Sequence, residues 1–169
     1  MELDPLTGAT GVGTRAAFRD VVQRLDHPFA LLLVDIDDMK TFCDEQGLSV
    51  GDQLLIDVAR ALRSCVPGVF RVGGDEFVAV ITGTADDGIA TGEAMRCAVR
   101  SLDYRSSRGP LSVKVGVAAS ELEMSSETVL IRADIAMQAG QGVGDCVTLY
   151  DVDVHRPFPQ EPRAPRPSP

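Results

Sequence analysis

The chain is 169 residues long, 44% hydrophobic and 24% charged, with a formal net charge of −9. That is enough for one domain with a single buried core, at ordinary globular composition. The acidity, unbroken by any basic cluster, argues against binding polymeric nucleic acid, which needs a positive face for the phosphates, but it admits a mononucleotide whose charge a bound metal could offset.

Thr14 is placed to cap a helix running to about residue 26, with Phe18, Val21, Val22 and Leu25 on one face and Pro28 as its breaker. Phe29–Ile36 reads as a strand buried on both faces. A short helix through Met39 and Phe42 ends by Gly47. Ser49 is placed to cap the next, where Leu54, Leu55, Val58, Ala59 and Leu62 recur at helical spacing until Pro67-Gly68. Strands over residues 69–72 and 77–81 then flank a hairpin turn. Residues 85–102 form a weaker helix, because Gly88 and Gly92 each cost about 1 kcal/mol against Ala. Residues 111–119 alternate as a strand should, Ser126–Ala139 is amphipathic at helical period, and residues 146–150 make a last strand. Strands alternating with helices around one antiparallel hairpin imply an α/β sandwich with a mixed sheet. Six of the thirteen residues 157–169 are proline, so 152–169 is expected to be a Pro-rich disordered tail to a domain spanning 1–151.

No apolar run approaches a membrane span, and Met1-Glu2-Leu3-Asp4 lacks the basic and apolar regions of a secretory signal. A cytoplasmic address with no membrane partner is expected. Cys43, Cys65, Cys97 and Cys146 are far apart and form no Cys-x-x-Cys pair, which favours reduced, mostly buried thiols over a zinc site or disulfides. His27 and His155 read as surface residues.

The most informative segment is Gly73-Gly74-Asp75-Glu76-Phe77. Its glycines are expected to supply the positive φ of a tight hairpin, which puts the two acids at the tip of a ribbon. Adjacent carboxylates with no basic residue beside them repel each other unless a cation sits between them. A second acidic group, Asp35-Ile36-Asp37-Asp38, closes the strand that starts at Phe29. Two strand ends carrying carboxylates suggest a site for a hard divalent cation, most naturally Mg2+ on a nucleotide phosphate.

Over roughly residues 4–151 the chain resembles the GGDEF domain family, the diguanylate cyclases. The matching pieces stand in the family order: Asp4-Pro5-Leu6-Thr7-Gly8, Arg15 to Phe18, Val34 to Lys40, Gly47, Gly51-Asp52 with Leu54 and Leu55, Arg71 to Phe77, Gly116-Val117-Ala118 and Ala133 to Met137. The resemblance implies the palm-like fold of class III nucleotidyl cyclases and polymerase palms, with a central mixed β-sheet flanked by helices. It implies condensation of two GTP to cyclic di-GMP by a homodimer, each protomer offering half a site, with Mg2+ or Mn2+ as cofactor. Asp35, Asp75 and the carbonyl of Ile36 would hold metal. Glu76 would hold metal or deprotonate the attacking 3′-hydroxyl. Lys40 matches the lysine that reaches the phosphates, though a solvated helix-start lysine fits it too. Asp52 matches the acid that reads the guanine edge, or else is a first-turn acid favoured by the helix dipole. Asp37 and Asp38 read as structural or solvated.

Several positions depart from the family. Cys43 replaces an Asn that reads guanine, a loss of roughly 1–3 kcal/mol on that side of the base. Leu48 replaces a common His. Gln141 and Asp145 stand where a Lys and an Arg hold phosphates, which is expected to weaken triphosphate binding, and Cys146 replaces the following Asn. Thr14 also stands where Asn is usual. Ser64 and Pro67 replace the Arg-x-x-Asp product site, so feedback through it is not expected. Two alternatives to a diguanylate cyclase therefore stand: a module that binds a nucleotide or partner protein without turnover, and a cyclase of altered base or product. The chain starts almost at Asp4, which leaves no room for a preceding sensory domain and points to a free-standing protein or a fragment.

Overall fold

The computed structural model describes residues 9–155, so Asp4 to Gly8 and the Pro-rich stretch from residue 157 lie outside the described residues. In chain order the elements are β1 (Gly13–Thr14), α1 (Arg15–Val22), β2 (Phe29–Ile36), α2 (Met39–Gln46), α3 (Leu48–Cys65), β3 (Val69–Arg71), β4 (Glu76–Thr82), α4 (Ala85–Arg100), β5 (Arg105–Ser106), β6 (Gly109–Pro110), β7 (Val113–Ala119), α5 (Ser126–Ala139) and β8 (Cys146–Leu149). The main sheet runs β1-β3-β4-β2-β7-β8, while β5 and β6 pair separately. Its four inner strands β3, β4, β2 and β7 each run antiparallel to their neighbours among the four, and the edges β1 and β8 join in parallel.

β2 lies at the centre because its residues are apolar on both faces. Ala30, Leu32, Val34 and Ile36 join the core under α3 and α4, with Leu54, Val58, Leu62, Met95 and Val99. Phe29, Leu31 and Leu33 face the other way, with Phe18 of α1 and Val129, Ala133 and Met137 of α5. The period of two along a strand makes this division automatic once one register is set. Asp35 is the single residue of β2 that is not buried. No helix among the described residues is long and apolar enough to cross a membrane.

β2 and α5 have the expected bounds, whereas others shift for identifiable reasons. The Thr14 hydroxyl accepts from the Ala17 amide, but α1 stops at Val22, short of residue 26. α3 starts at Leu48, one residue ahead of Ser49, because Gly47 at φ 90° joins it directly to α2. α4 begins with a reciprocal capping box between Thr84 and Asp87 and ends at Arg100. Its Gly88 and Gly92 are packing residues: a Cβ on Gly88 would come within 2.6 Å of Val117, and one on Gly92 within 2.9 Å of Val147. The thiols are less buried than expected, since Cys43, Cys65 and Cys146 are half-buried and Cys97 is exposed, all four free. His27 is exposed, and His155 is half-buried with its Nδ1 accepting from the Asp151 amide.

Candidate active site

The β3–β4 turn is shaped differently from the expectation. Neither Gly73 nor Gly74 lies in the left-handed region. Gly73 leaves room for the Glu76 carboxylate folded back over it, which a Cβ there would displace. The Val72 and Gly73 amides both donate to the Glu76 carbonyl, at 3.0 and 3.2 Å. The Arg71 guanidinium gathers the tip carbonyls, donating to Gly73 at 3.2 Å and to Gly74 at 2.6 Å. Arg15, first residue of α1, donates from Nε to the Val72 carbonyl at 2.6 Å and ties the hairpin base to the helix.

Sheet register then brings the two acidic segments together. Asp35 of β2 stands opposite Glu76 of β4, and the Ile36 amide donates to the Asp75 carbonyl at 3.3 Å. On the other side, Asp35 stands opposite Lys114 of β7. Glu76, Asp35 and Lys114 thus form a row across three adjacent strands, on the face that carries α1 and α5. Like charges directly opposite in a sheet repel, and Asp35 and Glu76 are such a pair. Burial raises the Glu76 carboxyl above its ordinary range, and the charges of Asp35, Asp75 and Asp134 add to it, with Arg15 a weaker opposing influence. Burial likewise raises Asp35, against the opposing hydrogen bond and charge of Lys114.

The Asp35 end of the row has a cation that the sequence reading did not anticipate, Lys114. Its Nζ lies 2.9 Å from Asp35 Oδ2 and 2.9 Å from Asp37 Oδ1, and its side chain is 12% exposed. Asp37 also accepts from the Ser112 hydroxyl at 2.7 Å and from the Asp145 amide at 2.9 Å. Burial alone would raise the Asp37 carboxyl; those donors outweigh it and hold it low. Burial would lower the Lys114 ammonium, and Asp37 and Asp35 together hold it above its ordinary value. Asp37 is therefore structural. Asp38 is exposed at φ 53°, turning the chain into α2 with Arg108 at 4.0 Å.

The α2–α3 corner holds the residues matched to base and phosphate reading. Lys40 is exposed in the first turn of α2. Cys43, one turn later, packs so closely on Gly51 that a Cβ there would lie 2.5 Å from its Sγ. Burial raises the Cys43 thiol, followed by the charges of Asp44, Asp52 and Asp75. Cys43 is thus within electrostatic reach of both Asp52 and the hairpin acid. Asp52 is the fifth residue of α3, beyond the first turn, so a favourable dipole position does not explain it.

Asp145 does not stand as an unopposed anion. Its carboxylate pairs with Arg96 at 3.2 Å and Arg100 at 3.3 Å, both on α4. Gln141 is exposed. A cleft of about 710 Å³ opens between α1 and α5, with Arg15, Phe18, Leu130, Asp134 and Glu76 on its walls. Cys43 and Asp52 do not line it.

The donors at the corner are all hard oxygens, as a Mg2+ or Mn2+ site requires. Glu76 and Asp75 form no salt bridge among the described residues, and the Glu76 carboxyl, raised chiefly by burial and further by its acidic neighbours, carries charge that a cation would relieve. The hairpin side fits a divalent ion. The Asp35 side is already occupied by an ammonium, and among the described residues no three His, Cys, Asp or Glu side chains are gathered to hold a metal. Sequence reading missed Lys114, whose one signal is a charge interrupting the apolar run Val113-Lys114-Val115.

A family model described as "Diguanylate cyclase, GGDEF domain" matches residues 11–144. An uncharacterized 19.3 kDa protein in the repSA 5′ region of Streptomyces ambofaciens is 36% identical over 146 residues, covering 82% of this chain and 78% of that protein. Diguanylate cyclase DgcM of Escherichia coli K12 is 34% identical over 120 residues, 69% of this chain but 29% of that enzyme. Diguanylate cyclase A of Treponema denticola is 30% identical over 128 residues, 71% of this chain and 34% of that enzyme. The chain therefore matches about a third or less of the length of these two cyclases. Among solved structures, the GGDEF domain of DgcB from Caulobacter crescentus, in complex with c-di-GMP, superposes with a TM-score of 0.79 at 30% identity, over 89% of this chain and 98% of that one.

Proposed function

The chain belongs to the GGDEF domain family of diguanylate cyclases, and from that premise we propose that it is a metal-dependent nucleotidyl cyclase condensing two GTP into cyclic di-GMP. The observation that carries this reading is the convergence of Asp35, Asp75 and Glu76 at one end of the central sheet, with β2 and β4 in register. Asp75, Glu76 and the Ile36 carbonyl would hold a Mg2+ or Mn2+ ion, with Asp35 beside them. When bound, such an ion supplies charge neutralisation on the triphosphate and a lowered pKa for the attacking 3′-hydroxyl. Glu76 would either share in holding that ion or take the hydroxyl's proton, a role that its carboxyl, raised by burial, supports. Lys40, exposed at the start of α2, contributes positive charge to the phosphates, and Asp52 accepts from the guanine N1–H and N2–H beside Cys43. One domain presents half of the reaction, so a second GTP-loaded copy of this chain must meet it, each 3′-hydroxyl attacking the other's α-phosphate as pyrophosphate leaves.

The test is pyrophosphate release from GTP with and without Mg2+ across a range of protein concentrations. The rate is expected to depend on Mg2+ and to be second order in protein when dilute. Asp75→Ala should lower it at least about 100-fold, the scale of losing a principal electrostatic group; turnover unchanged in that variant would sink the residue assignment. A second reading, nucleotide binding without turnover, is favoured by Cys43 at the base-reading position. Calorimetry with a non-hydrolysable GTP analogue, showing tight binding while no product forms over hours, would decide for it.

A further inference from the structure

We propose that Lys114 is a tethered cation that occupies the place a divalent ion would take on Asp35, so that this chain's site binds one divalent ion, at the hairpin carboxylates. The inference rests on the metal-site reading above. Lys114 reaches Asp35 from the neighbouring strand by direct register, and its ammonium bonds Asp35 and Asp37 at once, both at 2.9 Å. Asp37 cannot follow a moving lysine, because Ser112 and the Asp145 amide hold its other oxygen. A divalent ion on Asp35 would face a like charge 2.9 Å from the same carboxylate. Expelling the lysine would strand a largely buried ammonium and leave Asp37 without its counter-charge, the costly way to break such a pair. On the hairpin side no Lys or Arg among the described residues bridges Asp75 or Glu76, so that is where charge remains to be neutralised.

Counting bound Mn2+ by equilibrium titration, with the free ion read by electron paramagnetic resonance, tests this on the full chain without turnover. Wild type should bind one Mn2+ per protomer; two would overturn the proposal. Lys114→Ser should bind a second ion, or bind the first at least tenfold more tightly, and Mn2+ should raise its thermal midpoint more than that of wild type. Lys114→Arg, which keeps the charge, should behave as wild type does. Unchanged stoichiometry and affinity in folded Lys114→Ser would overturn the proposal even where Asp75→Asn abolishes binding, which would leave the metal-site reading standing. Absence of Mn2+ binding in both wild type and Lys114→Ser would overturn both.

Discussion

At the scale of single residues, carboxylates in this protein are controlled by who donates to them. Asp57 on α3 accepts from the Tyr104 hydroxyl at 2.7 Å and from Arg60 at 2.7 Å, and the Tyr104 hydrogen bond is the chief influence holding its carboxyl low. Burial, then Asp57, pushes the Tyr104 hydroxyl up to about 12. A lowered carboxylate stabilises the fold above its unfolded value, near 4, and that contribution fades as pH falls through the folded value. A raised phenol stabilises below its unfolded value, near 10, and the contribution is lost as pH climbs toward about 12. Tyr104→Phe should therefore cost about 1 kcal/mol at neutral pH. The gap to wild type should narrow both below about pH 4 and above about pH 10, as read by urea midpoints across pH. Asp37 obeys the same logic with more donors, accepting from Ser112, Lys114 and the Asp145 amide, whereas Asp35 has Lys114 as its one side-chain partner among the described residues.

At the scale of elements, close approach decides more than propensity. Gly116 of β7 lies so near α5 that a Cβ would collide with the Ala133 carbonyl and the Met137 amide, both backbone atoms that cannot swing aside. Gly116→Ala should therefore destabilise by about 2 kcal/mol through overpacking, despite the usual strand preference for Ala over Gly; a thermal midpoint equal to wild type would contradict this. Phe29–Ile36 and Ser126–Ala139 were legible because each carries its own signal, a continuous apolar run in one and helical spacing in the other. The two-residue strands β1, β5 and β6 were not legible, since such a strand exists only through its partner. The same is true of Gly73, whose role depends on the rotamer of Glu76.

At the scale of the whole molecule, the α3–β3 corner carries Ser64, whose hydroxyl bonds its own helix at the Ala61 carbonyl, and the exposed Pro67. With no charged pair there, cyclic di-GMP should not slow the reaction by a route non-competitive with GTP; initial rates over a matrix of both nucleotides would reveal such inhibition if it exists. Sequence alone was sufficient for the fold class, the order of the longer elements and the placing of acids at two strand ends, because those signals lie among neighbours along the chain. It could not show that a lysine 77 residues from Asp37 would sit among those acids. That was decided by the strand order β4-β2-β7, because charge pairing depends on distance in space, and only the assembled sheet sets which side chains come within reach.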